Sequence, residues 1–414
     1  MASVQPVRGT HDLLPEQKRR HNHVETMARD IAALYGFAEM STPIIEFTEV
    51  FSRTLGETSD VVTKEMYSFS RGDGESLTLR PEGTAGVCRA VISNGLSQQM
   101  PLKVFYRGPM FRYERPQKGR QRQFNQVGVE LLGVPSPQAD IEIIALGAQV
   151  LDSLGLGGKV ALEINTLGDN DSRDAYRAKL VDYLKGSEGK LSPDSRARLE
   201  RNPMRVLDSK DEGDKAIVEG APVMTDSLND VSRKFFDELL AGLDAIGVVY
   251  TVNPHIVRGL DYYCHTAFEF VTTELGAQGT VLAGGRYDGL VKQMGGPPTP
   301  GTGWAAGVER LAMLIDEPVQ SVRPVAIIPV GEVAANEALV LAQTLRRSGF
   351  TVELGYSGNL GRRMNRANKL KAIATVILGE DELARGAASV RNMDTGEQVE
   401  VPLKSLETHL AAYW

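Results

Sequence analysis

The sequence predicts an α+β protein, in which an antiparallel sheet flanked by helices carries a mostly helical insertion and is followed by a separate C-terminal α/β unit. Three observations point there. Strand-like runs at Leu77 to Leu79, Val104 to Tyr113 and Gln123 to Leu132 follow one another without crossover helices, as antiparallel pairing allows. From about Ser172 to Gly247 the pattern turns helical and heavily charged. Past Ser321, strand and helix patterns alternate.

Taken in order, Asp12 and Pro15 are helix-start residues, and Val24, Met27, Ile31, Leu34 and Tyr35 repeat at three-and-four spacing, so a helix is expected from Pro15 to about Tyr35. Gly36 closes it. The segment Phe37 to Phe47 carries Pro43, which cannot donate to a ladder and belongs at a sheet edge or a subunit contact; this is the expected dimer seam. After the three strands comes an Ala- and Ile-rich helix from Gln138 to Leu151. Beyond the helical stretch, with its Ser-Pro-Asp turn at Ser192 to Asp194, strand-like Thr266 to Thr272, the Gly-rich Val281 to Leu290 and Gly301 to Ile315 complete the first sheet. The last unit reads as strand 325–330, helix 334–347, strand 351–354, helix 360–371 and strand 373–378. The expected boundaries are therefore 1–171 and 248–320 for the two parts of the sheet domain, 172–247 for the insertion and 321–414 for the α/β domain.

At 414 residues the chain is long enough for two or three domains, and 46 Lys and Arg against 53 Asp and Glu leave a net charge of −7, so any nucleic acid must be met by local patches. Two cysteines, Cys88 and Cys264, make no disulfide framework and no CxxC site, which fits a reducing cytoplasm. The N-terminus lacks the apolar core of a signal peptide, and no run of 18 apolar residues is present to span a bilayer.

The segment Phe111 to Phe124 gathers five basic residues and one acid around a Pro and Gly turn between two strands, a basic hairpin tip. Such a run is usually a solvated loop, but the strand after it argues otherwise. With side chains alternating, Phe124, Gln126, Gly128 and Glu130 share one face, and Asn125, Val127, Val129 and Leu131 the other. A face bearing an amide, a carboxylate and a glycine makes a poor core and suits a ligand that needs hydrogen bonds and close approach. In Leu79-Arg80-Pro81-Glu82-Gly83-Thr84, Glu82 or Thr84 by itself reads as a helix cap; convergence of Glu82 with Glu130 favours a substrate bearing an amine or an imidazole.

Val257-Arg258-Gly259-Leu260-Asp261-Tyr262-Tyr263 is too polar for a core strand. Ala283 to Gly289 is glycine-rich without the phosphate-loop pattern, and neither a Walker loop nor a complete GxGxxG is present. Gly301 to Leu311 joins a strand of small residues, which lets a flat base approach the backbone, to a helix bearing Arg310. The six histidines show no metal-ligand spacing, so no metal site is assigned. Arg362, Arg363, Arg366, Lys369 and Lys371 fall within ten positions with Asn359, Asn365 and Asn368 interleaved, a locally basic run that points to nucleic-acid contact.

Together RGTHDLLPEQ, LRPEGTAG, FRYERPQKGR, RGLDYY, GGRYDGL and GVERL resemble the signature blocks of bacterial histidyl-tRNA synthetases, a class II aminoacyl-tRNA synthetase family, over essentially the whole chain. The resemblance implies a class II catalytic sheet, a helical insertion, an anticodon-binding α/β domain and a homodimer. It implies an enzyme that joins L-histidine to the α-phosphate of ATP and passes the histidyl group to the 3' end of tRNA(His). By motif, Arg112 holds the α-phosphate, Arg258 stabilises it during attack, Arg310 lies over adenine and γ-phosphate, and Arg120 is a further phosphate ligand. Glu82, Thr84, Gln126, Glu130, Tyr263 and Tyr287 are given to histidine. Arg115, Gln117, Lys118 and Gln121 in the hairpin, with Arg362, Arg363 and Arg366, are given to tRNA. Mg²⁺ is expected to be held mainly by ATP phosphates. Asn125, where the family often has His or Tyr, and Gln121 depart from the pattern; alternation turns Asn125 away from the ligand, whereas Gln121 bears on how the loop reads the acceptor end. Two other readings are a non-catalytic histidine sensor similar to the regulatory paralogue of ATP phosphoribosyltransferase, and a synthetase for another amino acid. Arg112, Arg258, Arg310 and the C-terminal domain argue against the first, RGLDYY with GGRYDGL against the second.

Overall fold

The computed structural model of the chain describes residues 3–54, 61–70, 72, 74–257, 260, 262–276, 279–316 and 320–413. It forms two compact units, Met1–Val319 and Gln320–Trp414.

In the first unit the chain runs α1 (Pro15–Leu34), β1 (Ala38–Glu39), β2 (Ile45–Phe47), α2 (Thr48–Ser52), β3 (Tyr67–Ser70), β4 (Ser76–Leu79), α3 (Thr84–Ser93), β5 (Leu102–Phe111), β6 (Gln123–Leu132) and α4 (Gln138–Ser153). It continues with β7 (Ala161–Thr166), α5 (Asn170–Lys185), α6 (Pro193–Arg201), α7 (Glu212–Val218), α8 (Asp230–Ala245), β8 (Thr251–Val252), β9 (Cys264–Val271), β10 (Thr280–Arg286), α9 (Leu290–Gln293), β11 (Gly301–Gly307) and α10 (Val308–Leu314). The main sheet has the order β1-β5-β6-β11-β10-β9-β7-β8; its six central strands pair antiparallel, and the short β1 and β8 add parallel edges. The segment Phe37 to Phe47 divides between the two sheets: its β1 joins the edge of the main sheet, its β2 joins a second sheet of order β2-β4-β3, and Pro43 lies in the link between them.

Alternation along β6 decides the two sides of the main sheet. Val127, Val129 and Leu131 enter a core built with Val24 and Ile31 of α1, Ile143 and Val150 of α4, Phe236 and Leu239 of α8, and Trp304 of β11. On the opposite side Tyr106, Leu132, Tyr263 and Tyr287 pack with Val87 and Cys88 of α3 and Leu290 of α9. Helices α5 to α7 have a small core of their own, around Tyr176, Leu184, Leu199 and Val206. The expected insertion extended through α8, yet Phe236, Leu239 and Leu243 of that helix belong to the principal core. β7 was not anticipated, because its six residues, Ala-Leu-Glu-Ile-Asn-Thr, give too short an alternation to separate from the charged helix after it.

The second unit runs β12 (Val325–Pro329), α11 (Glu332–Arg347), β13 (Val352–Leu354), α12 (Leu360–Lys369), β14 (Ala374–Leu378), α13 (Glu380–Ala384), β15 (Ala387–Asn392), β16 (Gln398–Pro402) and α14 (Leu406–Ala411). Its sheet order is β13-β12-β14-β15-β16, parallel as far as β14 and antiparallel beyond. Val325, Ile327, Val376 and Leu378 are buried against Ala338, Ala342 and Leu345 of α11.

Candidate active site

The sheet side carrying Gln126 opens into a cavity of about 420 Å³, within the range of small-molecule sites. Its wall combines Glu82, Thr84, Arg112, Arg120, Gln121, Gln126, Tyr263 and Arg310. Glu82 precedes α3, and its carboxylate accepts from the backbone N–H of Thr84 (2.8 Å) and Ala85 (2.7 Å), so it caps the helix and faces the cavity at once. Burial raises its pKa, and the helix N–H groups and the charge of Arg112 oppose that rise. Gln126 presents a buried side-chain oxygen that has no hydrogen-bond partner among the described residues, an acceptor that favours a ligand with an N–H.

Glu130 and Tyr287 stand behind this wall instead of on it. The carboxylate of Glu130 is fully buried, accepts from Thr84 Oγ1 at 2.6 Å, and also accepts the Tyr287 hydroxyl. Burial pushes its pKa up to about 8; the two hydroxyls pull it down and nearby Glu82 adds to the rise. The acids at 82 and 130 thus converge through Thr84, which touches both.

Gly128, Gly301 and Gly303, expected to let a ligand approach, face side chains of the protein instead, and so do Gly83 and Gly285. A Cβ on Gly83 or Gly128 would overlap the Tyr106 ring, one on Gly285 would come within 2.9 Å of Tyr263, one on Gly301 would overlap Tyr287, and one on Gly303 would overlap Glu130. The run from Ala283 is strand, β10, as far as Arg286, and Gly284 and Gly285 leave room for neighbouring backbone and aromatic rings. Gly307 does line the cavity, beside Arg310.

At the basic side, Arg112 donates from Nε to the Pro81 carbonyl (2.9 Å) and lies 3.8 Å from Glu114, which Arg120 meets at 2.9 Å. Arg310 donates from Nε to Gly119 O at the hairpin tip (3.2 Å) and from Nη1 to Thr280 O. Burial lowers its pKa, and Arg120 and Arg112 act in the same direction, so three guanidinium groups converge on one region. Glu114 and Glu269 offset part of this positive charge, and the mutual repulsion of the three guanidinium groups favours an anion. Arg258 lies outside the described residues.

Of the other hairpin residues, Arg115, Gln117 and Lys118 are exposed, and Gln117 and Arg120 bridge across a two-residue turn with Gly119 at φ 72. In the second unit Arg362 is exposed at the start of α12; Arg363 turns back onto the Pro329 carbonyl, and Arg366 pairs with Glu353 at 2.6 Å. Only part of that basic run is therefore left open to a partner.

Sequence reasoning missed Glu309, Glu269, Asp208 and Lys210, all of which line the cavity. Glu309 accepts from Asn125 N (2.8 Å) and Asn125 Nδ2 (3.0 Å). Asn125 does face away from the ligand side, yet it secures a cavity wall. The GVERL pattern pointed to Arg310, and Glu309, in the first turn of α10, is where an acid needs no ligand to account for it. Asp208 and Lys210 come from the helical insertion, and no local pattern ties them to the sheet.

The family described as histidyl-tRNA synthetase matches residues 9–311, and one described as anticodon binding domain matches residues 324–413. The chain is 62% identical over 414 residues to a Rhodospirillum rubrum protein named histidine--tRNA ligase, covering all of both chains. It is 58% identical over 411 residues to one so named from Gluconacetobacter diazotrophicus, with 99% of each covered. Among solved structures, apo histidyl-tRNA synthetase of S. aureus is similar at TM-score 0.82 and 34% identity, over 98% of this chain and 99% of that one. An ATP phosphoribosyltransferase regulatory subunit/histidyl-tRNA synthetase from Bacillus halodurans, at 22% identity and TM-score 0.66 over 88% of this chain and 97% of that one, shares the fold.

Proposed function

This chain belongs to the histidyl-tRNA synthetase family, and we infer that its cavity is where it, as a ligase of that family, joins L-histidine to ATP and then passes the histidyl group to the 3' end of tRNA(His). One observation carries the assignment of the site: Glu82, Thr84 and the bare Gln126 oxygen share a single cavity with Arg112, Arg120 and Arg310. An amino acid with a nitrogenous side chain suits the first group and a polyphosphate suits the second.

In the first step a carboxylate oxygen of histidine bonds to the α-phosphorus, the bond to the bridging oxygen breaks, and pyrophosphate leaves. Charge spreads over phosphate oxygens as this happens. Arg112, positioned by Pro81 O and already ringed by Phe124 at 5.4 Å, is our choice to take that charge, because a fixed guanidinium fork needs no reorganisation. Arg120 and Arg310 take the remaining phosphates, and Arg258 stays with the role that its motif implies. Glu82, Thr84, Gln126 and Tyr263 meet the histidine directly, while Glu130 and Tyr287 hold the floor beneath it. A competitor lacking the imidazole nitrogens leaves the buried Gln126 oxygen without a donor and mismatches the polar wall around it, which supplies ~10⁴-fold rejection.

Mg²⁺ would come with the nucleotide. It takes most of its ligands from phosphate and water, with Glu114 or Glu269 as the nearby carboxylates. Bound there, it would neutralise phosphate charge.

For tRNA, a hollow of about 830 Å³ continues from the cavity past Arg112, Arg120 and Lys210 to Arg198 and Arg205 of the insertion, room for an acceptor end. The exposed Arg115, Gln117 and Lys118, with Gln121 on the cavity wall, are assigned to that end, and Arg362 with its neighbours Arg363 and Arg366 to the anticodon side. A homodimer is supported by the β2-β4-β3 sheet, where Ile45 and Phe47 are half exposed and stand opposite Leu79 and Leu77, which in turn face Tyr67 and Phe69. These cross-strand rows form one apolar face of the kind a partner covers. Among the described residues no helix is long and apolar enough to cross a membrane; work in the cytoplasm fits substrates such as tRNA, ATP and free histidine.

The test is pyrophosphate exchange across all amino acids. Exchange with histidine alone is expected. No exchange with any amino acid would favour the sensor reading, and exchange with a different one would overturn the substrate.

A further inference from the structure

Arg286 ends β10 with its side chain wholly removed from water, yet it is not part of the cavity wall. Its guanidinium donates to Asp140 of α4 through Nε (3.0 Å) and Nη2, to the carbonyls of Val134 (3.1 Å) and Ser136 (3.0 Å), and to Asp288 (3.0 Å). Asp140 also accepts from Thr302 Oγ1 (3.2 Å), and Asp288 from Gly301 N (3.2 Å). The ring of Phe235 from α8 lies 5.0 Å from the guanidinium, and His265 stacks on that ring at 4.6 Å. A single cluster, fully buried at Arg286, Asp140 and Thr302, thereby ties together the β6–α4 turn, α4, β10, the start of β11, α8 and β9.

Burying such charges is an inefficient way to gain stability, since desolvation offsets most of the attraction. Geometry is what this cluster delivers. Tyr287 directly follows Arg286, packs its ring against Gly301 and donates its hydroxyl to Glu130. Opposite Arg286 the pairing with β9 jumps from Ala267 to Cys264, a bulge in which His265 holds φ 44. A bulge re-aims the side chains beside it, and Tyr263, just before this one, turns its ring over Gly285. Both tyrosines given to histidine are thus aimed by the residues on either side of one ion cluster.

We propose that Asp140, Arg286 and Asp288 are positioning residues for imidazole recognition: they fix Tyr287, and through it Glu130, and the aim of Tyr263, while touching no substrate themselves. This rests on the reading of the cavity as the histidine site.

The experiment uses the full chain with Asp140→Asn, Asp288→Asn and Thr302→Val. The last removes one hydroxyl from the cluster at nearly constant volume, so it keeps the proposal testable if Asp140→Asn fails to fold. The readouts are KM for histidine and for ATP in pyrophosphate exchange, with histidine affinity by calorimetry in the absence of ATP. Histidine KM and Kd should rise about tenfold in variants that keep the wild-type circular dichroism, as a small misplacement of binding groups predicts, while ATP KM stays within about twofold. A merely structural role would lower activity without separating the two KM values. Equal rises in both, or no change in histidine KM in any folded variant, would overturn the proposal. A wild-type enzyme that does not exchange with histidine would overturn the substrate reading and this proposal with it, whereas a histidine-active wild type with insensitive variants overturns this proposal alone.

Discussion

Glu130 gives the most exacting prediction. Its carboxyl is buried with no cationic partner among the described residues, and burial pushes its pKa up to about 8 from an ordinary 4.5. The unfolded chain gives up this proton near pH 4.5, the folded chain only near pH 8. Between those values the folded state binds more protons, so raising the pH favours unfolding; the stability present below about pH 4.5 is lost as the pH climbs through 8. A difference of that size corresponds to roughly 5 kcal/mol between the neutral and the ionised folded forms. Glu130→Gln keeps the shape, accepts from Thr84 Oγ1, and offers an N–H toward Tyr287, but cannot ionise. Relative to wild type, the variant should gain about 4 kcal/mol on going from pH 5 to pH 9. Urea unfolding followed by the fluorescence of Trp304, in a Trp414→Phe background, reports on this unit because Trp304 lies in its core. If wild type and variant differ by the same amount at both pH values, to within about 1 kcal/mol, the buried neutral acid is refuted.

Gly303→Ala forces a methyl into Glu130 and Val129 O; overpacking should cost about 1–3 kcal/mol in thermal unfolding and raise histidine KM more than ATP KM in exchange assays. In the insertion, buried Asp214 accepts from Ser192, Ser195 and Ser209 hydroxyls at 2.6–2.7 Å and its pKa is lowered to about 2. Because that pKa is depressed, its contribution is present above about pH 4 and lost as pH falls toward 2; Asp214→Asn should cost about 2 kcal/mol at pH 7, read as faster amide exchange in α6 and α7, and unchanged exchange there would contradict it. Charging the half-exposed apolar face with Phe47→Asp and Phe69→Asp should give monomers in sedimentation velocity; a persistent dimer would move the interface elsewhere.

The long strands of the main sheet and helices α1, α4, α11 and α12 could be read from pattern. Pro15 opens α1 where its missing N–H costs nothing, and the alternation of β6 separated the ligand side from the core at Gln126 and Val127. Less legible was anything set by distant packing. Glycine supplies no side chain, so its neighbours cannot be inferred locally: Gly128 and Gly303 looked like room for a ligand and are filled by Tyr106 and Glu130. Glu130 was assigned to the right face but its depth depends on Thr84, 46 residues earlier. The hairpin of β15 and β16 escaped notice because its second strand, Gln-Val-Glu-Val-Pro, alternates over only four residues before a proline. Asp208 and Lys210 reach the cavity through the fold of the insertion, which no period in the sequence encodes.

Titration of the full chain with a non-hydrolysable histidyl-adenylate analogue, alongside Glu82→Gln and Arg310→Ala, tests directly whether one cavity joins imidazole to nucleotide. One analogue per chain is expected to bind the wild type, and each variant, touching opposite ends of the same molecule, should weaken it by at least about tenfold, as loss of a hydrogen bond to a charged group predicts. Binding that is indifferent to either substitution would mean that acid and guanidinium serve separate sites.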